Sequence, residues 1–129
     1  MNLSISIAPL YIALAGLIFL PMTLRVGLFR VKQGIDIGDG NDDEMLRRIR
    51  GQANFIETVP IALMLLLAME LLGASPGWLH GVGATLLAGR ILHYLGLTKL
   101  GPFVCRPIGM VATLGSIATA SLWLLLALF

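Results

Sequence analysis

Residues 44–73 read EMLRRIRGQANFIETVPIALMLLLAMELLG, and this stretch decides how the chain folds. Its uninterrupted apolar part, residues 58–69, covers only about 18 Å as a helix, because an α-helix rises about 1.5 Å per residue. That length cannot cross the hydrocarbon core of a bilayer, which is about 30 Å thick. A membrane helix here must therefore begin near Glu44 and carry Arg50, Asn54 and Glu57 into or beside the bilayer.

The composition of the whole chain is that of a membrane protein. Of its 129 residues, 57% are hydrophobic and only 12% are charged, and the mean hydropathy is +0.91, whereas soluble domains are about one-quarter charged. Since each span needs about 20 residues, the chain has room for four or five spans at most and for no second domain.

Four spans are predicted within a single domain of residues 1–129. A cleaved signal peptide is the alternative for the first span, but no basic residue precedes its apolar run and no small-residue cleavage site follows it. The polar loop after it ends in Asp42 or Asp43 as the N-cap of the second helix, and Pro76 opens the third. The expected fold is an all-α integral membrane four-helix bundle with spans at about residues 3–30, 44–73, 76–97 and 105–128.

The positive charges predict an orientation. Every Lys and Arg lies within residues 25–50 or 90–106, so by the positive-inside rule both basic loops face the cytoplasm and both termini lie outside. The single cysteine, Cys105, excludes an internal disulfide and a cysteine-cluster metal site. We expect neither a metal nor a nucleic-acid partner.

A polar stripe runs along the second helix. Arg47, Arg50, Asn54 and Glu57 fall within roughly 80° of one another on a helical wheel. Because a charge at membrane depth costs at least about 2.5 kcal/mol, the stripe is expected to face the bundle, a subunit interface or a water-filled cavity. The alternative is an Arg50–Glu57 ion pair that neutralises itself, although seven residues exceed the ordinary i,i+4 reach.

The third span carries a second polar group near its basic end. Arg90, His93, Tyr94 and Leu97 have the i, i+3, i+4, i+7 spacing of one helix side, and Arg106 follows at the start of the fourth span. Each of these residues also has a purely structural alternative. His93 could lie in a helix interface, Tyr94 could lie at the membrane–water interface, and Arg106 could extend its side chain to the lipid headgroups. Arginines with one Glu and one Asn suit a small zwitterion with several carboxylates, such as glutathione, but they also suit an anionic lipid.

Small residues recur every four positions on the third and fourth spans. Such ridges let helices approach closely in lipid, and packing within one bundle and contact between subunits are equally compatible with them. The residues are Gly77, Gly81, Thr85, Gly89, Ala112, Ser116 and Ala120.

Two motifs resemble those of MAPEG, the membrane-associated proteins in eicosanoid and glutathione metabolism. Residues 47–57 match the signature R-x-x-R-x-x-x-N-x-x-E, here followed by x-x-P, and residues 89–96 read G-R-x-x-H-Y-x-G, similar to a small bacterial branch of the family. The resemblance implies a homotrimer of four-helix bundles in a bacterial inner membrane. It also implies glutathione bound between subunits on the cytoplasmic side, and a lipophilic co-substrate that arrives from the bilayer.

Carried over by position, the resemblance implies a role for each candidate site residue. Thr58 and Leu97 depart from the tyrosines of the leukotriene synthase branch, which argues against an eicosanoid-like substrate. Arg106 is expected to stabilise the glutathione thiolate, with His93 or Tyr94 as proton donor. The residues expected to bind the cofactor glutathione are Arg30, Arg47, Arg50, Gln52, Asn54, Glu57 and Arg90.

The expected function is that of a glutathione-dependent membrane transferase or peroxidase acting on a lipophilic electrophile. The competing class is a non-enzymatic membrane protein whose arginine pocket binds an anionic lipid or supports a complex. A small transporter is a third interpretation, but the sequence has neither the internal repeat nor the broken helices that are expected in a transporter.

Overall fold

The computed structural model describes residues 5–129 as four α-helices. They are α1 (Ile7–Gln33), α2 (Asp43–Leu71), α3 (Pro76–Leu97) and α4 (Cys105–Leu128), which confirms the predicted all-α architecture. The expected start of the first span, near residue 3, lies outside the described residues. By length and composition α1, α2 and α4 can each cross a bilayer. A crossing by α3, which carries Arg90 and two histidines, stays a prediction.

Local chemistry explains where the helices begin and end. Asp42 is the N-cap of α2, and its carboxylate accepts a hydrogen bond from the Met45 amide at 2.8 Å. Gly34 ends α1 in the left-handed conformation with φ of 66°, a geometry that glycine adopts without steric cost. Pro76 occupies the first turn of α3, where its missing N–H leaves no hydrogen bond unmade.

The first turn of α1 is capped from a distance by α2. The Glu70 carboxylate accepts from the backbone N–H groups of Ser6, Ile7 and Ala8 at 2.8, 2.8 and 2.6 Å. These amides have no partner within their own helix, and a negative charge beside a helix N-terminus is stabilising. Glu70 therefore ties the end of α2 to the start of α1.

Helices α3 and α4 cross closely because glycines leave room for the opposing backbone. A Cβ added to Gly96 would lie 2.5 Å from the Arg106 backbone nitrogen, and one added to Gly89 would lie 3.0 Å from the Gly109 carbonyl oxygen. The small-residue ridge of α3 is divided, since a Cβ at Gly77 would meet no atom within 4 Å. Only the end of the ridge near Gly89 packs within the bundle.

One end of the bundle gathers the basic residues. The chain reverses between successive helices, so the end of α1, the start of α2, the end of α3 and the start of α4 lie together. Contacts across this end join Arg48 to the Arg25 carbonyl, Arg90 to Asn54 and His93 to the Arg106 carbonyl. We call it the basic end.

Candidate functional site

A pocket of about 440 Å³ opens at the basic end between α2, α3 and α4. Its volume lies in the usual range for small-molecule sites, about 300–1,000 Å³. Four residues that the sequence placed in the site, two from α2 and one each from α3 and α4, come together here. The pocket is lined by Arg50, Asn54, His93, Leu97, Phe103, Arg106, Pro107 and Met110.

Arg90 lies behind this pocket and does not line it. The residue is only 2% exposed, and its Nε donates to the Thr113 hydroxyl at 2.7 Å. Its Nη1 donates to Asn54 Oδ1 at 2.5 Å and to the Thr58 hydroxyl at 3.1 Å. Among the described residues its Nη2 has no partner. The guanidinium of Arg90 thus binds mainly to uncharged oxygens of α2 and α4.

The contact with Arg90 determines what Asn54 offers to a ligand. A guanidinium has only donors, so the atom of the Asn54 amide that meets Arg90 must be its oxygen. The Nδ2 group, with two N–H donors, is then the part of the amide left for the pocket. Together with Arg50 and Arg106, Asn54 gives the pocket donors suited to carboxylate oxygens.

His93 is fixed by the backbone of α4. Its Nδ1 lies 3.0 Å from the Arg106 carbonyl oxygen, and the ring is 5% exposed. Because a carbonyl oxygen can only accept, Nδ1 must carry the hydrogen of this bond. In the neutral ring Nε2 is therefore a proton acceptor, and it becomes a donor once it has taken up a proton. The proton-donor role of His93 stays a prediction.

The expectation about Arg50 and Glu57 was wrong in one respect. Seven residues apart on α2, the two side chains nevertheless come within 3.8 Å, because both are long enough to extend toward each other along the helix face. Each is about half-exposed, and ion pairs of this kind contribute about 0–1 kcal/mol to stability. Both groups thus remain available to a ligand at little energetic cost.

Other expected site residues lie outside the pocket. Tyr94 follows His93 directly and so points about 100° away around α3, where its hydroxyl accepts from Arg25 at 3.0 Å. The Gln52 amide donates to the Thr23 hydroxyl of α1 at 3.0 Å. Arg30 donates to the Gly38 carbonyl at 2.8 Å, and Arg47 is partly buried on α2 outside the pocket lining.

Several residues of the site were missed by reasoning from sequence. Thr113 holds Arg90 in place, while Met110 lines the pocket. Both follow Arg106 at the i+4 and i+7 spacing of one helix face, which is the signal that would have found them. Phe103 lies in the turn before α4 and Pro107 in the first turn of that helix, where no periodic pattern marks the side that a residue faces.

Comparison with known proteins identifies relatives of the chain. The sequence model of the MAPEG family matches residues 8–128. The chain is 36% identical over 120 residues to the inner membrane protein YecN of Escherichia coli strain K12, and the aligned region covers 91% of each chain. YecN of the O6:H1 strain CFT073 is similar to the same extent.

Proposed function

Because the chain belongs to the MAPEG family of membrane proteins, we propose that it binds glutathione in the pocket between α2, α3 and α4. The bound thiol then reacts with a lipophilic electrophile, as in a glutathione transferase or peroxidase. The observation that carries this proposal is the arrangement of Arg50, Asn54, His93 and Arg106 around one pocket.

The chemistry of the pocket suits the ends of the tripeptide. Glutathione has two carboxylates, one ammonium group and one thiol. The guanidinium of Arg50 and the Nδ2 group of Asn54 supply donors for a carboxylate. The Glu57 carboxylate, which lies 3.8 Å from Arg50, is proposed to accept from the ammonium group. Recognition therefore rests mainly on α2.

Arg106 is the group proposed to stabilise the thiolate. It is the second residue of α4, so its charge adds to the positive end of that helix, and its side chain lines the pocket. A thiol near its ordinary pKa of about 8.5 is only a few per cent ionised at neutral pH. A cation beside the sulfur increases the thiolate fraction and thereby the concentration of the nucleophile.

His93 is proposed to move the proton. In the neutral ring Nε2 takes the thiol proton, while the bond from Nδ1 to the Arg106 carbonyl keeps the ring oriented. In a conjugation, the sulfur electron pair forms a C–S bond and the leaving group departs with its bonding pair. If an epoxide opens instead, the new alkoxide takes the proton back from Nε2.

The same thiolate supports reduction of a lipid hydroperoxide. The sulfur attacks the terminal peroxide oxygen, the O–O bond breaks, and the lipid alkoxide leaves and takes up the proton. The glutathione sulfenic acid formed then reacts with a second glutathione to give the disulfide and water. Tyr94 has no part in this proposal, because its hydroxyl is bound to Arg25 between α1 and α3.

The proposed assembly is a homotrimer in a bacterial inner membrane, with a glutathione cleft at each subunit boundary. Arg30 and Gln52 bind other groups of their own chain and lie outside its pocket. In a trimer they are proposed to complete the cleft of a neighbouring copy. YecN, to which the chain is similar, is named as an inner membrane protein.

The proposal is tested by thermal unfolding of the detergent-purified protein with increasing glutathione. A ligand that binds only the folded state, and is present at 100 times its Kd, stabilises that state by about 2.7 kcal/mol. We expect this shift in the wild type but not in Arg50→Gln or Arg106→Gln. The control is Lys32→Ala, which removes one positive charge at an exposed position near the end of α1 and should keep the shift. No shift in the wild type, or equal shifts in all four proteins, would overturn the proposal.

Turnover is tested separately by conjugation of glutathione to a hydrophobic aryl chloride. Arg50→Gln is expected mainly to raise KM, because Arg50 binds only the peptide. Arg106→Gln is expected to raise KM and also to lower kcat, because Arg106 contacts the bound thiol and stabilises the thiolate that reacts. Conjugation by the wild type no faster than in protein-free micelles contradicts the transferase part of the proposal.

A further inference from the structure

A second cavity, of about 360 Å³, lies between α1 and α3. We call it the α1–α3 groove. Its lining is apolar apart from two side chains at one end, Arg25 and Tyr94. The apolar lining consists of Leu14, Leu17, Ile18, Pro21, Met22, Ile91 and Leu95.

The dimensions of the groove match one lipid chain. Its α1 residues recur at three- and four-residue spacing from Leu14 to Arg25, a strip about 16 Å long. The hydrocarbon core of a bilayer is about 30 Å thick, so the strip is about as long as one leaflet is deep. Leu17 is 64% exposed and Ile91 is 42% exposed, so the groove is open along its length.

The polar end of the groove is held in a fixed geometry. Arg25 Nη1 donates to the Tyr94 hydroxyl at 3.0 Å, and the guanidinium carbon lies 5.7 Å from the centre of the Tyr94 ring. The ring itself is packed on α2, because a Cβ added to Gly51 would lie 2.8 Å from Tyr94 Cε2. Arg25 thus has a specific protein partner, unlike an arginine that only extends its side chain toward the membrane surface.

This end offers hydrogen-bond donors to an anion. A guanidinium has five N–H donors, and the bond to Tyr94 uses one of them. Since the Tyr94 hydroxyl accepts that bond, its own hydrogen is left to donate. A phosphate oxygen placed beside Arg25 and Tyr94 thus receives one charge-assisted and one neutral hydrogen bond.

We propose that the α1–α3 groove is a binding site for an anionic phospholipid, with one acyl chain along α1 and the phosphate on Arg25 and Tyr94. Charge complementarity selects an anionic lipid over a neutral one, because Arg25, the one charged side chain among the described residues of the lining, is positive. A bound peptide would bring backbone polar groups that an apolar groove cannot satisfy. The site is separate from the glutathione pocket, with which it shares no lining residue.

The test is native mass spectrometry of the detergent-purified protein exchanged into micelles with defined lipids. Three probes are compared: phosphatidylglycerol, phosphatidylcholine with the same acyl chains, and glycerol 3-phosphate. We expect one phosphatidylglycerol per chain, retained about fivefold more strongly than phosphatidylcholine, since one surface cation contributes about that factor. Equal retention of the two lipids overturns the choice of an anionic lipid, and equal binding of glycerol 3-phosphate overturns the need for a chain.

Four variants locate the site. Arg25→Gln is expected to abolish the fivefold preference, and Arg25→Lys to restore part of it. Leu17→Trp fills the groove and is expected to lower retention of both lipids, whereas Leu20→Trp, on the exposed surface of α1 outside the groove, leaves retention unchanged. An unchanged preference in Arg25→Gln refutes the proposal. A change in oligomeric state in Leu17→Trp also refutes it, because the groove would then be a contact between copies.

Discussion

Replacing Thr113 by valine tests whether the buried arginine behind the pocket depends on its uncharged partners. Thr113 is fully buried, and its hydroxyl accepts from Arg90 Nε and donates to the Gly109 carbonyl. Valine has nearly the same shape but no acceptor. In Thr113→Val the guanidinium therefore keeps only the bonds of Nη1, because Nη2 already has no partner among the described residues.

The expected cost follows from that count. A buried donor left without a partner costs about 1–3 kcal/mol, and more when it is charged, so we expect Thr113→Val to lower the unfolding free energy by about 3 kcal/mol. Thr113→Ser keeps the hydroxyl and loses one methyl group, which costs about 1 kcal/mol. The difference of about 2 kcal/mol isolates the hydrogen bond to Arg90.

The assay is reversible unfolding in mixed micelles as the fraction of SDS rises, with the same two substitutions made in an Arg90→Met background. With the buried charge removed, Thr113→Val should cost under 1 kcal/mol, because no donor is left unpaired. If valine at Thr113 costs the same with Arg90 present and absent, the loss arises from packing and the reasoning is refuted.

Two further substitutions test the helix contacts. Glu70→Gln should lower the unfolding free energy by about 1–2 kcal/mol, because three amides at the start of α1 lose a charged acceptor; an unchanged SDS midpoint would contradict this. Gly96→Ala should cost about 2 kcal/mol or more and weaken the glutathione shift, because its Cβ would force the start of α4 away. Gly27→Ala, where a Cβ would meet no atom within 4 Å, should be neutral or stabilising, and an equal loss in both alanine variants would refute the close-approach argument.

The sequence predicted the helices well because their determinants are local. The Asp42 cap, the proline that opens α3 and the apolar run lengths each act within a few residues of the helix end that they fix. Family membership was also predictable and is confirmed, since the two motifs keep their spacing within single helices. The long-range cap that Glu70 forms on α1 was not predictable, because 62 or more residues separate it from the amides it binds.

The candidate site was also predicted only in part. Periodicity put Arg50, Asn54 and Glu57 on one face of α2, and that face does contribute Arg50 and Asn54 to the pocket. Periodicity also grouped His93 with Tyr94, yet the structure turns one toward α4 and the other toward α1. A helical wheel gives the angles between the side chains of one helix, but it does not show which neighbouring helix packs against each side.

The sequence by itself determined a membrane protein of the MAPEG family with four helices and a polar face on α2, because composition, run length and spacing are properties of the chain. Only the tertiary structure decided that Arg90 forms hydrogen bonds with Asn54 and Thr113. It also decided that neutral His93 carries its hydrogen on Nδ1, and that Arg25 lies at the polar end of a separate apolar groove. Each of these depends on the distance between two helices. For Arg90 with Thr113 and for His93 with Arg106 the two helices are α3 and α4, and glycines on both sides of their crossing, which only the packed bundle brings together, keep that distance short.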